Sequence, residues 1–287
     1  MFLIFYWRDT FLEINLLLVY NTIVKKEREV KYMVKLIIFN FVLLLIISIG
    51  LFFCKKYIKT DKSKNIILLL SALVTIIFHY SSFIYLSITG NASVEYLKDT
   101  PNLLLPIYPC NVVMWGCLIY GVLKNKESKV SLFLADYLFW SGIFSTLVGM
   151  FANVDFINNP TFKDYEVTKS IAAHGTLLFN VLLIYVFGYI KVDLIKNMKH
   201  IIISVIMMYL IGLYCNKIFE VLVSYEEAYS VNSMFIIHSP FDGVPFLIYP
   251  VIALIALVLY FVLFFVWELF IYPKGNRWFN RIKKNNV

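Results

Sequence analysis

Seven runs of about 20 apolar residues constrain this chain more than any other feature of its sequence. The hydrocarbon core of a bilayer is about 30 Å thick, so a helix needs about 20 apolar residues to cross it. Barrel strands would instead be segments of about 10 residues with alternating polarity. We therefore predict an all-α, polytopic helical protein of the cell membrane. Its seven predicted transmembrane helices are Val34–Cys54, Ile66–Ile88, Leu103–Leu123, Val130–Met150, Ile171–Ile190, Ile201–Val223 and Phe246–Ile271.

The composition excludes an ordinary soluble enzyme. The chain is 61% hydrophobic and 15% charged, whereas soluble domains have about 45–50% apolar and about 25% charged residues. The net charge is +8, and the basic residues that produce it lie mainly outside the apolar runs. We therefore predict membrane lipids as partners and no nucleic acid. Four cysteines do not make a disulfide scaffold. Cys110 and Cys117 have no second pair of ligands near them in sequence, so we predict neither a metal nor a cofactor.

Lysine and arginine residues predict the orientation, because they concentrate in cytoplasmic loops. Sixteen of them occupy the first, third and fifth connections and the C-terminal tail, against three in the second, fourth and sixth. We therefore predict an N-terminus outside, a C-terminus inside and a basic cytoplasmic tail.

The first 33 residues do not fit this scheme. Residues 1–20 are apolar but contain Arg8, Asp9 and Glu13, and four basic residues follow before the first span. We predict an N-terminal interfacial segment over 1–33, with an extra span or a start at Met33 as alternatives. Residues 34–287 are predicted to form a single seven-helix transmembrane domain.

The most informative segment of the sequence runs from Leu105 to Asn111. Pro106 and Pro109 disfavour a regular helix through Tyr108, because proline lacks an N–H and restricts the residue before it. Pro109 is suited to the first turn of a helix, which would place Cys110 at a helix N-terminus inside the membrane. Such a position favours a thiolate, and the amides near Asn111 could bind an oxyanion. The alternative is a kinked helix with an inert cysteine.

Histidines and asparagines supply the remaining candidate residues. His174 is predicted in the outer half of the bilayer, as is Cys110, and a histidine beside a thiol can activate it. His79 reaches a similar depth and would be a second base, a substrate contact or a packing residue. Asn180 fits a hydrogen bond between helices. Asp136 is read as interfacial or paired, with proton relay as the alternative.

Three short motifs resemble the YwaF-type family of bacterial integral membrane proteins. They are Leu105–Asn111, His174-Gly175, and Asn232-Ser233-Met234-Phe235-Ile236. The chain also resembles, more distantly, eukaryotic transmembrane phospholipid acyltransferases that use a cysteine with a histidine. Tyr108 and Asn111 stand where the family pattern has histidine and aspartate, whereas Cys110 and His174 match it. The resemblance implies Cys110 and His174 as catalytic residues. Together with the residues inside the spans, it gives a predicted supporting or substrate-binding set of Tyr108, Asn111, His79, Asn180 and Asn232.

Three functions remain open from the sequence. The first is a membrane-embedded lipid acyltransferase with a Cys110 nucleophile and a His174 base on the extracytoplasmic side. Its donor would be a phospholipid, and its acceptor a lysophospholipid or a lipoprotein amine. The second is a transporter or substrate-capture subunit, since proline-broken helices bind solutes in transporters. The third is a non-catalytic scaffold.

Overall fold

The computed structural model describes residues 32–93, 96–97, 100–153, 156, 161–191, 193–240 and 243–285. The predicted interfacial segment therefore lies almost entirely outside the described residues. The helices are α1 (Tyr32–Tyr57), α2 (Asp61–Ile88), α3 (Pro109–Val122), α4 (Lys129–Phe151), α5 (Tyr165–Val186), α6 (Leu194–Leu222), α7 (Tyr225–Val231), α8 (Tyr249–Ile271) and α9 (Trp278–Asn285).

The all-helical prediction is confirmed, and the described residues contain no strand. Helices α1, α2, α4, α5, α6 and α8 are long and apolar enough to cross a membrane. The third predicted span is corrected. Its helix has 14 residues, which makes it about 21 Å long, and a separate 3₁₀ turn over Pro101–Leu103 precedes it. The prolines explain the difference, because they prevent the apolar run from forming one continuous helix.

Several helices begin earlier than the apolar runs predict, because polar residues cap them. The side chains of Thr60, Ser128, Asp164 and Asp193 each accept a backbone N–H in the first turn of α2, α4, α5 and α6. These contacts satisfy amides that have no partner inside the helix. The polar first turns therefore belong to the helices, and α6 includes Lys196 and His200 in its first two turns.

Close packing of α2–α5 forms the centre of the bundle, and glycines permit it. A side chain at Gly121 of α3 would press on the backbone of Leu69 in α2, and one at Gly116 would overlap Leu138 in α4. Helix α1 packs on α5 where Gly175 leaves room for Leu43.

The connections gather at two opposite ends of the bundle. The first, third and fifth connections line one cavity, and the Arg281 side chain of α9 lies 3.6 Å from Asp193 at the start of α6. We call this the lysine-rich end. At the other end, which we call the Cys110 end, Met234 of the sixth connection hydrogen bonds to Ile107 of the second. The grouping agrees with the alternation that the basic residues predict, while the direction across a membrane stays a prediction.

Candidate functional site

Cys110 lies in the first turn of α3, as the proline pattern predicts. Tyr108 is the extended residue before the helix and Pro109 its first residue. The side chain of Asn111 turns back and accepts the backbone N–H of Tyr108 at 3.2 Å. Asn111 is buried, so this bond fixes the chain as it enters the helix. The Cys110 side chain is partly buried, and its sulfur faces the backbone amides of Cys110 and Asn111.

The predicted oxyanion donors need a correction. The N–H groups of Asn111 and Val112 point to the carbonyl oxygen of Tyr108, at 3.0 and 3.4 Å. They already have an acceptor within the first turn. The positive end of the helix dipole still lies at Cys110, so an anion there is favoured by the field of α3 rather than by two unoccupied amides.

A left-handed segment of the sixth connection supports the chain that leads into Cys110. Asn232, Met234 and Phe235 have φ angles of +44°, +55° and +57°, in a region that residues other than glycine rarely adopt. Such conformations persist only where surrounding contacts impose them, and they cluster at functional sites. The Phe235 ring stacks on Tyr108 with centroids 5.7 Å apart. Asn232 and Tyr108, both named from the sequence, therefore belong to one packed unit.

Asn232 holds this segment in shape through its side chain. Its Oδ1 accepts the backbone N–H groups of Ile237 and His238 at 3.0 and 3.3 Å, and its Nδ2 donates to the carbonyl oxygen of His238 at 2.8 Å. Asparagine also tolerates the left-handed conformation better than most residues. The side chain is 4% exposed, so its hydrogen bonds are protected from water.

His174 occupies a defined position between α5 and α4. Its Nδ1 lies 2.8 Å from the carbonyl oxygen of Ser170. Because a carbonyl oxygen only accepts hydrogen bonds, Nδ1 carries the proton of the neutral ring and Nε2 carries the lone pair. The ring lies over Gly149 of α4, where a Cβ atom would overlap it. Gly149 leaves room for the His174 ring and was not predicted, because nothing in the local sequence marks a glycine that faces a histidine of another helix.

The levels of Cys110 and His174 along the bundle can be compared through α4. A Cβ at Gly142 would contact both Val113 of α3 and Val181 of α5, so these two valines share a level. Cys110 precedes Val113 by three residues and His174 precedes Val181 by seven. At 1.5 Å per residue in two parallel helices, the two candidate residues differ by about 6 Å, or one helical turn.

His79 and a charged cluster adjoin His174 at the Cys110 end. His79 Nε2 lies 3.3 Å from the carbonyl oxygen of Asn102, and its ring is close enough to His174 and Lys169 for their charges to interact. Lys169 donates to Ser82 at 2.9 Å, and Glu166 pairs with Lys169 and accepts from Ser82. This cluster was not predicted from the sequence, although the spacing of Glu166 and Lys169 is that of a helical ion pair.

Asn180 lies elsewhere and has a structural role. Its Nδ2 donates to the carbonyl oxygen of Leu68 at 2.9 Å and to Ser71 at 2.6 Å. Both partners are on α2, so the interhelical hydrogen bond predicted for Asn180 is confirmed.

Asp136 is paired, as one of its predicted alternatives stated. Its carboxylate lies 2.5 Å from His200 Nδ1, 3.1 Å from Asn197 Nδ2 and 3.9 Å from Lys196 Nζ. His200 was missed because the apolar run of the sixth span begins only after it. This buried pair joins α4 to α6 near the lysine-rich end.

The six long apolar helices and the short α3 define a multi-pass helical membrane protein. A family model described as the TMEM164 family matches residues 26–270. The match covers most of the chain, which therefore belongs to the TMEM164 family. No curated protein and no solved structure matches it significantly. The resemblance to YwaF-type proteins and to phospholipid acyltransferases stays a prediction from the sequence motifs.

Proposed function

We propose that this protein is a membrane-embedded lipid acyltransferase in which Cys110 is the nucleophile and His174 the base. The observation that carries the proposal is the placement of Cys110 at the N-terminus of α3, about one turn in level from His174. The helix dipole favours a thiolate at this position. The hydrogen bond from His174 Nδ1 to Ser170 leaves the lone pair on Nε2, which a base requires.

The proposed reaction has two halves. His174 Nε2 takes the proton of the Cys110 thiol, and the sulfur attacks the ester carbonyl carbon of a phospholipid. A C–S bond forms, the ester C–O bond breaks, and the departing lysolipid oxygen takes the proton from His174. In the second half an acceptor hydroxyl or amine loses its proton to His174 and attacks the thioester. The acyl group moves to the acceptor, and the proton returns to the Cys110 sulfur.

The surrounding residues have supporting roles in this proposal. Asn111 fixes the entry to α3, and the stacked Tyr108 and Phe235 rings hold the chain before it. His79 lies near His174 and has a supporting role in this proposal, with its Nε2 held at the carbonyl oxygen of Asn102.

The test is capture of the thioester. Purified protein is incubated with a phospholipid labelled in its acyl chain, and hydroxylamine-sensitive label on Cys110 is measured. Cys110→Ser should abolish the adduct and His174→Ala should slow it markedly. Cys117→Ser is the matched control, because Cys117 lies two turns further along α3 and is buried.

Two results would contradict the proposal. One is equal labelling of Cys110 and Cys117 by a lipid-soluble electrophile, with no decrease in His174→Ala. The other is the absence of any adduct in folded protein. Transport is the second candidate, because the short α3 and the irregular chain before it resemble the broken helices that bind solutes in transporters. Solute uptake that persists in Cys110→Ser would favour it.

A further inference from the structure

A cavity of about 560 Å³ lies at the lysine-rich end, opposite Cys110. It is bounded by the first turns of α2, α4 and α6 and by the α3–α4 and α5–α6 connections. The volume is within the range of small-molecule sites, about 300–1,000 Å³. The cavity shares no residue with the candidate acyl-transfer site.

Positive charge dominates the wall of this cavity. Five lysines line it against three carboxylates, namely Lys64, Lys124, Lys126, Lys191 and Lys196 against Asp61, Glu127 and Asp136. Two of the carboxylates are already engaged. Asp136 lies 2.5 Å from His200, and Asp61 lies 3.3 Å from Lys64. Within the part of the chain that the structure describes, no carboxylate lies within ion-pair distance of Lys124, Lys126 or Lys191.

Lys126 is the unusual member of this set, because it is 7% exposed. Its ammonium group donates to the carbonyl oxygen of Tyr120 and lies 4.1 Å from the centroid of the Tyr120 ring. Burying an ammonium group without a counter-ion is costly. Burial lowers the pKa of Lys126 to about 8, so the amine is still mostly protonated near neutral pH. A bound anion would supply the missing counter-charge.

Tyr189 adds a neutral donor to the same cavity. Its hydroxyl is buried and has no hydrogen-bond partner among the described residues. Burial raises the pKa of Tyr189 to about 12, so the hydroxyl keeps its proton and can donate it. A buried donor without an acceptor is uncommon in folded proteins. An anionic oxygen in the cavity would satisfy it.

We propose that this cavity binds a phosphate group, with Lys126 and Tyr189 holding it inside and Lys124, Lys191 and Lys196 attracting it at the mouth. Lysine binds phosphate as a point charge, and a cluster of lysines suits a group with more than one negative charge. The phosphate would belong to a soluble phosphate ester or to the headgroup of an anionic phospholipid. Both sources present the same chemistry, and the test separates them.

The experiment uses the full chain in nanodiscs. In one arm the discs contain only phosphatidylcholine, and binding of pyrophosphate is measured by equilibrium dialysis. In the other, phosphatidic acid is added to the discs, and the lipid retained by the protein is counted by native mass spectrometry. Lys124→Gln/Lys191→Gln tests the mouth without disturbing the fold, because both side chains are exposed. Lys126→Met tests the interior. Lys55→Gln is the control, because Lys55 is exposed and lies outside the cavity.

We expect saturable binding in at least one arm, weakened about tenfold or more in each test variant, since each loses a charge-assisted contact. Lys55→Gln should bind as the unaltered protein does. Binding of pyrophosphate identifies a soluble ligand, and selective retention of phosphatidic acid identifies a headgroup. The proposal is overturned if neither arm shows binding, if the mouth variant binds normally, or if Lys55→Gln weakens binding equally.

Discussion

The backbone N–H of Met234 donates to the carbonyl oxygen of Ile107 at 2.8 Å. This bond joins the left-handed segment of the sixth connection to the chain that enters α3. The hydroxyl of Ser233, which is 126 residues from Ile107 in sequence, donates to the same carbonyl oxygen at 3.1 Å. Met234 is fully buried and packs against Gly212 of α6. The position of Cys110 therefore depends on a segment whose backbone is held in a rare conformation.

Asn232 offers a way to test that dependence. Asn232→Gly permits the left-handed conformation but removes the side-chain bonds to Ile237 and His238, so we expect the segment to loosen and the rate of Cys110 modification to fall several-fold. Asn232→Asp keeps the acceptor for both amides and should retain more of the rate. The measurement is labelling of Cys110 by a lipid-soluble electrophile. Equal rates in both variants and the unaltered protein would show that the segment does not position Cys110.

Gly149 gives a second test, directed at His174. Gly149→Ala places a methyl group where the imidazole ring lies, so the ring must move away from its present site. We expect thioester formation to slow about tenfold or more, because a misplaced base loses much of its contribution. Gly243→Ala is the matched control, since a Cβ there meets no atom within 4 Å. An unchanged rate in Gly149→Ala, with the protein folded, would remove His174 from the mechanism.

The buried pair of Asp136 and His200 predicts a loss of stability on mutation. Asp136 is 2% exposed, so Asp136→Asn should lower the free energy of unfolding by about 1–3 kcal/mol, as His200→Gln should. The double variant should lose less free energy of unfolding than the two single variants lose together, because both single changes break the same contact. Lys196→Gln should cost about 0–1 kcal/mol, because Lys196 is more than half exposed and its Nζ lies 3.9 Å from Asp136. Unfolding in mixed micelles measures these differences, and strict additivity would argue against the pair.

Some of this arrangement follows from sequence and some does not. The prolines correctly predict that α3 begins at Pro109, because their effect on the backbone is local. The span of Leu103–Leu123 was taken from hydropathy alone, and it is longer than the helix because an apolar run does not show where the backbone dihedral angles change. His200 and Gly149 were missed for a different reason. Each matters through a partner on another helix, and spacing along the chain does not reveal that contact.

The lysine-lined cavity shows the same limit. Its lysines come from three connections, and the sequence predicts only that these connections share one side of the membrane. Whether they converge depends on how α2, α4 and α5 pack. Glycines such as Gly121 and Gly142 permit the close contacts that set this packing. The sequence thus predicts that these connections share one end of the bundle, whereas the cavity required the structure.

The orientation itself is open to a direct test. A cysteine introduced between Ser224 and Pro245, in a variant without the native cysteines, should react with an impermeant maleimide in intact cells. One introduced between Lys55 and Lys64 should be protected until the membrane is permeabilised. The reason is the excess of basic residues at the lysine-rich end, since such residues concentrate on the cytoplasmic side. The opposite pattern would reverse the orientation and place Cys110 in the cytoplasmic half.

The pKa of Lys126 predicts a pH dependence of anion binding in the cavity. Sulfate is a suitable probe, because its charge is constant between pH 7 and pH 9. Burial lowers the pKa of Lys126 to about 8, so this residue is mostly charged at pH 7 and mostly neutral at pH 9. Sulfate affinity should therefore fall as the pH rises through about 8, by up to about tenfold for the loss of one charged contact.

Lys126→Arg separates this cause from the other charges of the cavity. The guanidinium group stays protonated throughout this range, so sulfate affinity in Lys126→Arg should be nearly flat from pH 7 to pH 9. The remaining titratable groups that face the cavity, from α2, α4, α6 and the two connections, are the same in both proteins. They are Asp61, Lys64, Lys124, Glu127, Asp136, Tyr189, Lys191 and Lys196. If affinity fell equally with pH in the two proteins, one of those groups and not Lys126 would be responsible.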